Sequence, residues 1–234
     1  MPQRRAFIHQ ATAFGALLLL AQRQALALSL SSLSNADASS GVKAALGKGA
    51  DVAVALLGQP GGFLDNPKVR IPLPGYLDDA AKLLRKFGQG KRIDELVTTI
   101  NRAAEAAVPM GKDLLVGAVQ SMTVTDAKNI LTGGDTSVTD FFATKTRAPL
   151  SERFLPVVTQ ATEKVGLTQQ YNSFAGKAAS FGLVKKEDAD LSHYVTGKTL
   201  DGLYFTIGEE ERKIRDNPAA AGSAILQKVF GTLK

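Results

Sequence analysis

The chain has no cysteine and no tryptophan, and only two histidines, of which His9 falls near its start. Without cysteine there are no disulfides, thiolate metal sites, cysteine nucleophiles or lipid-modified N-terminal cysteine. A Ser-His-Asp triad would have to use His193, and no Gly-x-Ser-x-Gly elbow accompanies it, since Ala221-Gly222-Ser223 does not complete one. No alternating apolar–polar run bounded by turns reads as a strand. Charge of one sign is also in short supply. The formal net charge is +6, but Arg4, Arg5 and Arg23 lie in residues 1–27, which hold no acid. The remainder carries 25 basic and 22 acidic residues, evenly interspersed. That balance does not point to nucleic acid.

What is present is helical. With 44% hydrophobic residues in 234, the chain can bury one good core. Residues 1–27 have the form of an export signal: Arg4-Arg5, an apolar run from Ala11 to Ala21, then Ala25-Leu26-Ala27 as a small-x-small cleavage site. The string Gln3-Arg4-Arg5-Ala6-Phe7-Ile8 resembles a twin-arginine signal, with an ordinary secretory signal as the alternative. Either route predicts a periplasmic protein cleaved near Ala27, with no permanent membrane span in the mature chain. Residues 28–40 are Ser-rich and are expected to form a flexible linker ahead of a single helical domain over 41–234.

The domain is expected to be an all-α, multi-helix bundle of about eight to ten helices. Apolar spacing predicts helices over 41–57, 74–87, 91–108 and 110–122. Pro149 is expected to start a helix to Val165, Thr168 to cap one over 169–180, and Asp190 to cap a long one ending near Arg215. Asn217-Pro218 is expected to open the last helix, 219–233. Residues 58–74 carry four prolines and three glycines, which no helix tolerates, so they form a loop. Phe63, Leu64, Val69 and Ile71 predict that this loop packs inward, and its length suggests a functional or tightly packed segment. Thr123-Val124-Thr125-Asp126 has the spacing of a capping box, and Gly133-Gly134 ends the helix that follows.

Convergent polar groups concentrate between Asn101 and Asp140. Asn101, Arg102 and Glu105 are neighbours on one helix face beside an alanine stripe, and read first as a structural cross-link and second as a site. Glu105, Asp113, Asp126, Asp135 and Asp140 could offer oxygen ligands to a divalent cation if the helices folded back. Helix capping accounts for Asp126 and Asp135 more simply. Gly133, Gly134 and Asp135 precede a helix start that suits an anion, but the strand and lysine of a phosphate-binding loop are missing. No cofactor, catalytic residue or metal ligand is therefore assigned. The low-ranked binding candidates are Asn101, Arg102, Glu105, Asp113, Asp126, Gly133, Gly134 and Asp135. Phe141, Phe142, Phe154, Tyr171, Phe174, Tyr204 and Phe205 are read as core before cavity lining.

Five blocks, GFLDNPKVRIPLP (62–74), NRAAEAAVP (101–109), MTVTDAKNILTGGDTSVTDFF (122–142), KTLDGLYFTIGEEERKIRDNPA (198–219) and LQKVFG (226–231), together resemble the bacterial family catalogued as domain of unknown function 4197. The likeness runs from about Gly41 to Gly231. It implies an exported, helical, single-domain protein and no assigned activity. The leading expectation is a non-catalytic binding or interaction module for a protein partner or a small apolar ligand. The alternatives are a carboxylate-dependent hydrolase centred on Glu105, Asp126 and Asp135, with or without a divalent metal, and a structural cell-envelope protein.

Overall fold

The computed structural model describes residues 34–74, 81, 85–134, 136–164, 168–169, 171–172, 175, 180 and 190–231. Helices α1 (Asn35–Leu57), α2 (Gly90–Ala107), α3 (Lys112–Gln120), α4 (Val124–Thr132), α5 (Ser137–Glu163), α6 (Leu191–Asp216) and α7 (Ala224–Gly231) form an all-α fold. A 3-10 turn, Val108–Gly111, joins α2 to α3, and no strand occurs among the described residues.

α1 is the central element. It packs against α3, α4, α6 and α7, burying Val42, Ala45, Leu46, Ala50, Ala53 and Leu57. Small residues let its neighbours come close: a Cβ on Gly41 would collide with the Val229 side chain of α7. The helix starts at Asn35, where Ser34 accepts the Asp37 N–H as an N-cap. Residues 35–40 of the expected linker therefore belong to the helix. Two alanines there favour the helix and offset the two weaker serines, and Ala38 and Gly41 are buried.

The described helices are fewer than the eight to ten expected, and one physical reason is clear. Ser137–Glu163 runs unbroken through Pro149 and Pro156, where a new helix start was expected at Pro149. The two prolines are seven residues apart, on one solvent-facing side of the helix, as are Lys145 and Glu152. The carbonyls that lose an N–H partner at 145 and 152 thus sit where water can replace it. α7 also starts later than expected. Pro218 to Gly222 form turns closed by Gly222 at φ 68°, and the helix begins only at Ala224. The helices expected over 74–87 and 169–180 lie largely outside the described residues, as do the leader and Phe174.

α5 and α6 make the most extensive helix pair, with α2 packed on α5. Their interface buries Phe142, Leu150, Phe154, Leu200, Leu203 and Tyr204. The Tyr204 hydroxyl pairs with the Thr146 hydroxyl at 3.0 Å, and Thr146 donates onward to the Phe142 carbonyl, so the phenol is satisfied inside the core. Gly111 fits against Leu150 and Phe154, where a Cβ would come within 2.7 and 2.8 Å of them. Among the described residues, no helix is long and apolar enough to cross a membrane.

Candidate functional site

The loop over 58–74 is the feature that shapes the surface. Gly61 adopts φ 91°, and a Cβ on Gly62 would meet the carbonyl oxygens of Leu56 and Leu57 at 2.5 and 2.6 Å. Only glycine lets the chain turn back so closely over the end of α1. Phe63, Val69, Ile71 and Leu73 then enter the core, while Leu64 stays half-buried. Gly202 of α6 makes room for them, since a Cβ there would lie 2.9 Å from the Phe63 ring.

Two side chains of α2 hold the loop by its backbone. Glu105 Oε1 accepts the N–H groups of Gly61, Phe63 and Leu64 at 3.0–3.1 Å, and Oε2 accepts Arg102 at 2.6 Å. Asn101 Oδ1 accepts the Ile71 N–H at 2.8 Å. Its Nδ2 donates to the Ile71 carbonyl and to the Val97 carbonyl one turn back. Burial by itself would raise the Glu105 pKa. The Leu64 N–H, the Arg102 guanidinium and the Phe63 and Gly61 N–H groups outweigh that and bring it below its ordinary value. Both oxygens of the Glu105 carboxylate are thus engaged by the protein itself. Asn101, Arg102 and Glu105 do come together, as a clamp on the loop.

The other candidates are dispersed. Asp113 is almost fully exposed and lies 3.7 Å from Arg153. Asp126 completes the capping box of α4: it accepts the Thr123 N–H and hydroxyl while Thr123 accepts the Asp126 N–H. Those bonds from Thr123 hold its carboxyl below the ordinary range. Gly133 ends α4 in an extended conformation, and a Cβ would strike Ser137 and the Asn129 carbonyl. Gly134 has open space around it. Asp135 lies outside the described residues. Asp126 and Asp140 border a hollow of about 350 Å³ with Asn129, Phe141 and Lys145. Among the described residues, no three of His, Asp and Glu assemble into a metal-holding group.

Sequence reasoning missed the groove that the clamped loop forms with α6. It has a volume of about 640 Å³ and is lined by Lys68, Arg70, Pro72, Leu73, Tyr194, Lys198, Asp201 and Phe205 among others. From Lys68 to Leu73 residues alternate exposed and buried, so Lys68, Arg70 and Pro72 face out. Lys68 lies 6.0 Å from the Phe205 ring centre and 2.7 Å from Glu209, and Lys198 lies 5.9 Å from the Tyr194 ring. The Tyr194 hydroxyl donates to the Pro72 carbonyl, tying the loop to the groove's far wall. A second hollow of about 460 Å³, with Ile93, Val97 and Arg85, continues on the other side of Arg70, Pro72 and Leu73. No sequence signal marks this face: consecutive helical residues are roughly 100° apart and can both be buried, as Phe141 and Phe142 are. Tyr204 is buried and Phe205 is 42% exposed.

Glu211 lies on the packed stripe of α6 and is buried. It holds Arg215 at 2.7 Å, and the guanidinium reaches the Ile130 and Leu131 carbonyls at the end of α4 and stacks on Phe230. This pair caps a neighbouring helix, a structural task that favours a cation at a helix C-terminus.

The fold is a helical bundle carrying one clamped loop and an open groove beside it. Residues 32–231 match the family described as a protein of unknown function, DUF4197, and the chain belongs to that family. No curated protein and no solved structure matches it.

Proposed function

We propose that the protein is an exported, non-catalytic binding module whose binding face is the groove between loop residues 68–73 and α6. The observation that carries this reading is the groove itself: Lys68, Arg70 and Pro72 on a loop whose backbone is fixed from below, facing Lys198 and the exposed Phe205 of α6. A preorganised surface of that kind loses little entropy on binding. The hydrolase reading has less support, because Glu105 commits both oxygens to backbone N–H groups and Arg102, and Asp126 commits Oδ2 to the Thr123 cap. Residues 1–27 supply the periplasmic address by their charge and apolar pattern.

The test is native mass spectrometry and affinity isolation of the mature protein from the periplasm of its host. Wild type is compared with Arg70→Glu and Phe205→Ser. A stoichiometric ligand or partner retained by wild type and lost from both variants is the expected result. Retention by both variants would remove the groove from the reading. An isolated chain with hydrolytic activity abolished by Glu105→Gln at unchanged stability would replace the reading altogether.

A further inference from the structure

We infer that the groove takes an extended, acidic peptide segment of a partner protein, with its carboxylates on the groove's cations and an apolar side chain on Phe205. This rests on the binding-module reading above.

Charge complementarity is the first argument. The lining residues include Lys68, Arg70 and Lys198 against a single acid, Asp201. Lys68 already holds Glu209, and Lys198 lies 3.9 Å from Asp201, itself also held by Arg147. Arg70 is exposed and forms no ion pair among the described residues; its charge reaches Asp94, which Arg85 already holds at 2.6 Å. The planar fork of Arg70 suits a carboxylate held by two parallel hydrogen bonds. The groove therefore has one strong cation outside the ion pairs, beside two lysines that already face acids.

Shape is the second argument. The hollow is open, and Arg70, Pro72 and Leu73 also border the second hollow by α2. An acyl chain calls for an enclosed apolar channel that covers most of its surface. An extended peptide instead presents alternate side chains to opposite sides, and fits a trough whose wall alternates charge with apolar surface. Phe205 and Pro72 supply the exposed apolar positions, and an aromatic at the middle of such a surface is the usual anchor.

The experiment is selection of a displayed random-peptide library on the mature protein, followed by fluorescence polarisation of the consensus peptide. Enrichment of Asp and Glu beside aliphatic or aromatic residues is expected. The consensus peptide should bind at least tenfold more weakly to Arg70→Glu and to Phe205→Ser, and more weakly in high salt. Circular dichroism checks that both variants stay folded, since neither side chain lies in the core. Replacing the peptide's acids by lysines should restore binding to Arg70→Glu. An empty selection, a pool without acidic enrichment, or a consensus that binds Arg70→Glu as tightly would each overturn the inference. Phosphatidylglycerol vesicles that co-sediment through Arg70 while no peptide is selected would overturn it too, and would leave the binding face standing. A periplasmic partner retained by both variants would instead bring down the binding face itself.

Discussion

Removing the Glu105 carboxylate should loosen one loop and leave the helices in place. In Glu105→Ala, the fully buried Phe63 N–H loses its acceptor, and the Gly61 and Leu64 N–H groups lose theirs in half-buried surroundings. A buried donor left unmet costs about 1–3 kcal/mol. With the lost charge-assisted bonds and the stranded Arg102, the total should be roughly 3–5 kcal/mol. For a chain of this size, that lowers Tm by about 10 °C. Glu105→Gln keeps an acceptor oxygen but gives up the charge, and should cost about 1–2 kcal/mol. Thermal and urea denaturation measure the totals. Amide hydrogen exchange then locates them, with Gly61, Phe63 and Leu64 exchanging faster while the Ala103 and Ala104 amides of α2 stay protected. If Glu105→Ala lies within about 0.5 kcal/mol of wild type and the loop amides are unchanged, the clamp argument is wrong.

Four further outcomes follow from the same geometry. Because the Glu105 pKa is held below its ordinary 4.5, its stabilisation is whole above about that pH and fades as pH falls through the folded value, so acid denaturation of Glu105→Gln should show a shallower pH dependence in that window. Asn101→Asp should destabilise at least as much as Asn101→Ala, about 2–4 kcal/mol by denaturant titration, because a carboxylate oxygen would replace the donor facing the Ile71 and Val97 carbonyls. Gly62→Ala should cost about 2–3 kcal/mol, since the added methyl meets backbone that cannot move aside. Thr196→Val should be neutral or stabilising by up to about 1 kcal/mol, because the buried Thr196 hydroxyl has no hydrogen-bond partner.

The helical class, the capping box at Thr123 and the Asp190 cap were legible because each depends on residues three or four apart. The inward packing of the loop was legible from its apolar content. What α2 does for the loop was not, because Glu105 and Gly61 are 44 residues apart and nothing in the sequence marks an acceptor for distant backbone N–H groups. The continuity of α5 was hidden for a different reason. A proline is a local signal, whereas its tolerance depends on which side of the helix meets water. The groove needed Lys68, Arg70, Tyr194 and Phe205 together, and the loop and α6 meet only in three dimensions.

The anchors grip the loop by main-chain atoms: the N–H groups of Gly61, Phe63, Leu64 and Ile71 and the Ile71 carbonyl. Its path is therefore insensitive to which side chains its outer positions carry. Residues 68 and 70 can change identity across evolution, or in a designer's library, without disturbing the bonds that set the curve of the backbone. One helical turn, Asn101 to Glu105, thus works as a fixed mount for an exchangeable face, and a new specificity at the groove needs no new fold.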